Sequence, residues 1–246
     1  MRALLVLVAL ALPAQARVVS LNLCTDQLVL LLAPEQIAAL STLSRDPALS
    51  FMAPEAMHYP VVRADAEAVL RLRPTLVLAG QYGAQATLSA LERHGVPVLR
   101  VSLPNDFGAI RAQVTQIAAA LGVPGRAPEV IATMDRWLQH PPVPPRTALV
   151  WGARGWTSGP GTLTNAVLTE AGLVNAAQGG QVGIEQLLAH PPQLLVTADA
   201  PAMPSLATDL LQHPALAGLP RRTLPPSWLI CGGPWTALAV QALAAP

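Results

Sequence analysis

Glu67-Ala68-Val69-Leu70-Arg71-Leu72-Arg73-Pro74-Thr75-Leu76-Val77-Leu78 returns 118 residues later as Glu185-Gln186-Leu187-Leu188-Ala189-His190-Pro191-Pro192-Gln193-Leu194-Leu195-Val196. In each copy a glutamate precedes an apolar pair, a proline follows, and an apolar triplet closes the segment. Proline lacks the amide hydrogen that a helix interior needs, so it stops the helix before it. The copies therefore predict a helix over 66–73 with a strand over 76–79, and a helix over 184–189 with a strand over 194–197. Gly95-Val96-Pro97 and Gly218-Leu219-Pro220 match as well, at an offset of 123. An ordered repeat of this kind points to two units of one design.

The residues around the first copy fill in its unit. Arg17-Val18-Val19-Ser20-Leu21-Asn22-Leu23 reads as a buried strand, and Thr25 or Asp26 can cap a helix over 27–33. A second strand is expected over 37–43, and 44–60, with its three prolines, reads as loop. A helix over 85–94 ends at Gly95, and a strand follows over 96–101. Asp106 caps a helix running to about Leu121. The second unit opens with a strand over 147–151 and a helix over 164–171. Strands alternating with helices imply parallel sheets covered on both faces. Between the units, Pro128 to Leu138 can form a helix, and Pro141-Pro142-Val143-Pro144-Pro145 stiffens the chain into an extended connector. The organisation expected is 1–16, 17–124, 125–145 and 146–246.

The first segment reads as a leader. Arg2 is followed by the apolar run Ala3 to Leu12, then Pro13, then the small-residue signature Ala14-Gln15-Ala16. The run is ten residues, where a membrane span takes roughly 20. Mature protein is expected to start at Arg17, which places it outside the cytoplasm. Cys24 follows Leu23, where lipoprotein processing needs a small residue, so it is not read as a lipid anchor. Without Arg2 the chain has 14 arginines against 14 acids, and it has no lysine. A neutral chain with so few charges has no field for gathering nucleic acid or anionic lipid.

Signatures of catalysis are missing. Gly-x-Ser-x-Gly, His-Glu-x-x-His and Cys-x-x-Cys do not occur, and no lysine can complete a phosphate loop. No catalytic or metal site is expected, and no cofactor beyond a bound ligand. His94 and His190 fall near predicted helix ends, where capping is the plain reading. His58-Tyr59 is the one pair that could touch a metal centre.

Cys24 and Cys231 both fall where strands end and helices begin, the ligand edge of an open α/β sheet. Three readings stand: a disulfide, thiols facing a ligand or metal, and inert buried thiols. A disulfide would tie the two units together across a cleft. Aromatic residues are scarce, so their places carry information. Trp156 and Trp228 sit beside Gly/Ser/Pro turns and are candidate walls that stack on a flat, bulky ligand. Arg45, Tyr82 and Arg154 are candidate polar contacts.

With the Arg-Val-Val-Ser-Leu start, the Glu67…Pro74 segment and Gly95-Val96-Pro97-Val98, the mature chain resembles the helical-backbone class of periplasmic binding proteins. That class serves vitamin B12, haem and iron-siderophore importers. Trp156-Thr157-Ser158-Gly159 and Trp228 resemble cleft segments of its B12-binding members. The resemblance implies two Rossmann-like α/β lobes with parallel sheets, joined by one backbone helix, with the ligand between them. It implies a monomer that hands a small molecule to the permease of an ABC importer. It also implies that Glu67 and Glu185, one on each lobe, dock to that permease. The connecting helix looks shorter than the class norm, and the two cysteines stand where the B12-binding members have none. A corrinoid is the expected ligand, because a neutral chain with Trp walls suits a large uncharged ring. The alternatives are a ferric siderophore, haem held through His58, Tyr59 or Tyr82, or a thiol-based metal-handling or redox role for Cys24 and Cys231.

Overall fold

The computed structural model describes residues 16–199 and 206–245. The leader expected over 1–16 lies outside the described residues, save Ala16. Among the described residues no helix is long and apolar enough to cross a membrane.

The first lobe runs β1 (Val18–Ser20), α1 (Leu23–Leu32), β2 (Ile37–Ser41), α2 (Ala53–Ala56), β3 (Val61–Val62), α3 (Ala66–Arg71), β4 (Leu76–Gly80), α4 (Gln85–Arg93), β5 (Val98–Val101) and α5 (Phe107–Ala120). Helix α6 (Ala127–Trp137) and the proline connector follow. The second lobe runs β6 (Arg146–Val150), β7 (Trp156–Thr157), α7 (Leu163–Glu170), β8 (Leu173–Asn175), β9 (Gly180–Gln181), α8 (Ile184–Ala189), β10 (Leu194–Ala198), α9 (Leu206–Asp209), β11 (Arg221–Leu224) and α10 (Ala237–Ala244). The main sheets are wholly parallel, in the orders β3-β2-β1-β4-β5 and β11-β10-β6-β8. The short strands β7 and β9 form a separate antiparallel pair.

The repeat is structural. Helix α8 and strand β10 each begin 118 residues after α3 and β4. The Gly-x-Pro matches do the same thing in both lobes. Pro97 O accepts from Val77 N at 2.9 Å, and Pro220 O accepts from Leu195 N at 2.8 Å. A proline carbonyl thus starts the pairing of the next parallel strand in each lobe.

Alternation along the strands shows how the lobes are joined. Val18, Leu78, Ala148 and Val196 point into one shared apolar cluster, which also takes Met134 of α6 and Trp235 and Val240 of the C-terminal segment. Their neighbours Val19 and Val77 face an outer cluster of the first lobe, and Leu149 and Leu195 face one of the second. The inner faces of the two sheets therefore share a core through α6. Phe51 of the first lobe stacks on Trp235 of the second at 5.6 Å between ring centres. The proline connector is pinned by His140, whose ring nitrogens lie 2.8 Å from Pro141 O and 2.7 Å from Glu170 O. Both partners are carbonyls, so the doubly protonated ring satisfies both, and these bonds, that to Pro141 first, raise its pKa.

Several local expectations are corrected. The first strand stops at Ser20, and the cap of α1 is Asn22, not Thr25 or Asp26; its Oδ1 accepts from Cys24 N at 2.9 Å. The second strand ends at Ser41, and the expected loop 44–60 contains α2. Asp106 caps α5 as expected, accepting from Ala109 N at 2.6 Å.

Candidate functional site

Open parallel sheets bind ligands beyond the carboxyl ends of their strands, at the point where strand order reverses. That point lies between β1 and β4 in the first sheet and between β6 and β10 in the second. Each holds a crevice.

The first crevice, about 80 Å³, is lined by Asn22, Cys24 and Thr25 after β1, Gly80 to Tyr82 after β4, Val101 to Leu103 after β5, and Gln113 of α5. Three of its polar side chains, Asn22, Thr25 and Gln113, are oriented by backbone partners. Asn22 Oδ1 is committed to the amides of Cys24 and Thr25, which leaves Nδ2 as the free end of that side chain. Gly80 makes room for it: a Cβ there would stand 2.8 Å from Asn22 Nδ2. Gln113, only 6% exposed, donates from Nε2 to Ser102 O at 2.8 Å, and its Oε1 has no hydrogen-bond partner. No cation lines this crevice.

Next to Cys24 and Thr25 on α1 is Asp26, fully buried. It accepts from Ser41 N at 3.1 Å and from the Ser41 hydroxyl, tying α1 to the end of β2. Burial pushes its pKa up to about 6, against the pull of hydrogen bonds from Ser20 and Ser41.

The second crevice, about 250 Å³, has an apolar wall: Val150, Trp151, Val196, Ala198, Leu224, Pro226, Leu229 and Ile230, with Gly152 and Thr197. Trp151 is locked by donation from Nε1 to Val182 O at 2.8 Å. The chain comes so close here that a Cβ on Gly155, whose φ is +75°, would collide with Val182 O.

The sequence-derived site residues fall into three groups. Cys24 and Tyr82 line the first crevice, and Tyr82 is 76% exposed. Arg154 lies between β6 and β7 and Trp156 opens β7, both exposed, and Trp228 sits half-buried in the turn between Pro226 and Leu229; none of the three lines the second crevice. Arg45 lines neither crevice; its guanidinium donates to Tyr59 O at 2.5 Å. His58 is exposed beside that contact.

Cys24 and Cys231 form a disulfide with a Cα–Cα distance of 5.1 Å, the first of the three readings. Cys231 is wholly buried, and no free cysteine remains among the described residues. With both sulfurs bonded to each other, the pair offers no free thiol to a ligand or metal. Among the described residues no cluster of three or more His, Cys, Asp or Glu side chains could hold a metal ion.

Glu67 and Glu185 are both exposed, each second in its helix. Helix α3 starts just beyond the carboxyl end of β3. Helix α8 starts just beyond Val182, whose amide bonds Gly155 O at 2.8 Å. Both glutamates therefore lie at the crevice edge of their lobes. Glu67 pairs with Arg71 at 2.7 Å, and no ion-pair partner for Glu185 is present among the described residues.

Sequence reasoning missed Asn22 and Gln113. Signals existed for both. An Asn before an apolar-periodic run is a preferred cap. Gln113 interrupts a buried stripe of Ile110, Val114 and Ile117, where a polar residue needs a reason.

A family model described as periplasmic binding protein matches residues 18–220. A periplasmic haem-binding protein from Pseudomonas aeruginosa is 26% identical, with a TM-score of 0.70 over 93% of this chain and 91% of that one. The periplasmic haem-binding protein RhuT from Roseiflexus sp. RS-1, in its apo form, is 23% identical with a TM-score of 0.71, covering 94% of this chain and 97% of its own. The periplasmic vitamin B12 binding protein BtuF of Vibrio cholerae is 20% identical with a TM-score of 0.64, over 93% and 94%. No curated protein sequence matches the chain.

Proposed function

The chain belongs to the periplasmic binding protein family, and from that premise we propose that its two crevices receive one corrinoid ring between them. The family's place is the periplasm, where its members bind a small molecule and deliver it to an ABC permease; they are binding proteins, not enzymes. Removal of residues 1–16 as a signal peptide completes the reading.

One observation carries the corrinoid: the crevice lining has no charged side chain, with neutral amides on the first lobe and an apolar wall on the second. A corrin ring offers a broad apolar face and a rim of neutral carboxamides. The exposure of Tyr82 and Trp156, 76% and 59% and on opposite lobes, supports them as the residues that stack on it. Haem is the second reading, favoured by the exposed Tyr82 phenol and by the similarity to the haem-binding protein of P. aeruginosa. Tryptophan-fluorescence titration with cobinamide, cobalamin, haem and a ferric siderophore tests both. Submicromolar cobinamide binding that Trp156→Ala weakens about tenfold supports the corrinoid. Tight haem binding with none for corrinoids selects the second reading.

Glu67 and Glu185 are the proposed permease contacts. Equivalent acids on two tightly joined lobes fix the register and orientation of docking. Glu67→Ala combined with Glu185→Ala should abolish uptake while ligand affinity stays at the wild-type value. Undiminished uptake rejects the assignment.

A further inference from the structure

Glu67 and Glu185 stand in unlike surroundings on like helices. Helices α3 and α8 each have six residues with the glutamate second, and Val69 and Leu187, two residues further on, are both buried. The two helices thus turn the same face to their cores, and both glutamates leave the exposed side. Residues 63–71 align with 181–189 at the repeat offset of 118. The first segment has four charged residues, Arg63, Asp65, Glu67 and Arg71, which sum to zero. The second has Glu185 alone, with Gln181, Gly183 and Ala189 in place of Arg63, Asp65 and Arg71. The difference reaches the carboxylates. Arg71 Nη1 donates to Glu67 Oε1 at 2.7 Å across one helical turn. Ala189, the counterpart of Arg71, has no such group, and among the described residues no ion pair or hydrogen bond engages the Glu185 carboxylate.

A cation approaching Glu185 meets one uncompensated negative charge. A cation approaching Glu67 meets a carboxylate with one oxygen already committed, and a guanidinium one turn away that repels it. We propose that the two lobes dock unequally: Glu185 carries the contact with a cationic side chain of the permease, and Arg71 keeps the Glu67 contact weak. Leu188 adds an apolar contact, since it is exposed and shares a face of α8 with Glu185, three residues before it. The permease surface that fits α8 therefore presents an arginine or lysine beside an apolar side chain. This inference rests on the docking reading above and deepens it.

The test adds purified protein to spheroplasts of the source bacterium that lack their own copy. Uptake of labelled cobinamide, or of haem where the titration selects it, gives the half-saturating concentration of binding protein. Glu185→Gln should raise that concentration about tenfold, and Glu67→Gln no more than about threefold. Arg71→Gln should lower it about two- to fivefold, and only while Glu67 is present. Ala189→Arg, which builds the missing pair on the second lobe, should raise it by a similar factor. All four positions are exposed, and ligand titration with thermal melting confirms that each variant folds and binds as wild type. Equal losses from Glu67→Gln and Glu185→Gln, or weaker docking after Arg71→Gln, overturn the unequal reading and leave docking through both glutamates in place. Undiminished uptake by the Glu67→Ala, Glu185→Ala double mutant overturns the docking reading and this inference with it.

Discussion

Between β1 and β4 the chain builds a crevice from Asn22, Thr25, Gln81, Ser102 and Gln113; between β6 and β10 it builds one from Val150, Trp151, Val196, Leu224 and Ile230. The two places are topologically equivalent, and the repeat of 118 residues relates the helices and strands that lead to them. What differs is the loop chemistry laid over a common scaffold. In the first lobe side-chain amides are aimed by backbone partners, and a buried acid braces α1 against β2. In the second, only Trp151 among the large wall residues has its polar atom committed, and the rest is apolar surface. A duplicated fold thus carries two crevices of different chemistry, polar in the first lobe and apolar in the second, and the difference lies in the loops.

The strongest way to break this comparison is to release one lobe from the other. Cys24→Ser with Cys231→Ser removes a cross-link spanning 207 residues. A loop of that length corresponds to about 5 kcal/mol of unfolded-state constraint, so denaturant unfolding should show a loss of about 2–5 kcal/mol. Next comes an exchange of chemistry. Leu224→Asn puts an amide into the apolar crevice, where Leu224 is 2% exposed. Lost burial and an unpartnered polar group should cost about 3 kcal/mol in the same measurement.

Asp26 sharpens the comparison through pH. Its folded pKa of about 6 lies above its ordinary value of 3.8. Between those values the folded state holds a proton that the unfolded chain has released. Stability from this group is therefore greatest below pH 4, falls as pH rises to about 6, and stays low beyond. Asp26→Asn should be more stable than wild type at pH 7 by about 3 kcal/mol, with the advantage gone near pH 4. A constant difference across that range would refute the assignment. The smallest effect is expected from Asn22→Ala, which removes the cap of α1 at about 1 kcal/mol.

How legible was this in the sequence? The two-lobed α/β class was, because the Glu…Pro…apolar repeat records helix, stop and buried strand in order. The parallel strands that escaped notice, β3, β8 and β11, are all at sheet edges. Edge strands are short and face solvent, and Arg221-Arg222-Thr223-Leu224 carries no run of apolar residues to mark it. Asn22 was hidden because apolar residues continue across it: Val18 and Leu23 both enter the shared core, one from β1 and one from α1. The cysteine pairing was open because spacing along a chain says nothing about which strand ends meet in space. The contact of Arg45 was not legible, since its carbonyl partner Tyr59 arrives from a loop with no periodic pattern.

The disulfide has one more consequence. It closes residues 24–231 into a covalent ring that contains the proline connector, the stretch between α6 and β6. A single protease cut at that connector opens the ring without dividing the molecule. The nicked protein should run as one band on a non-reducing gel and as two only after a thiol is added, so each lobe would stay attached to its partner through a break in the chain between them.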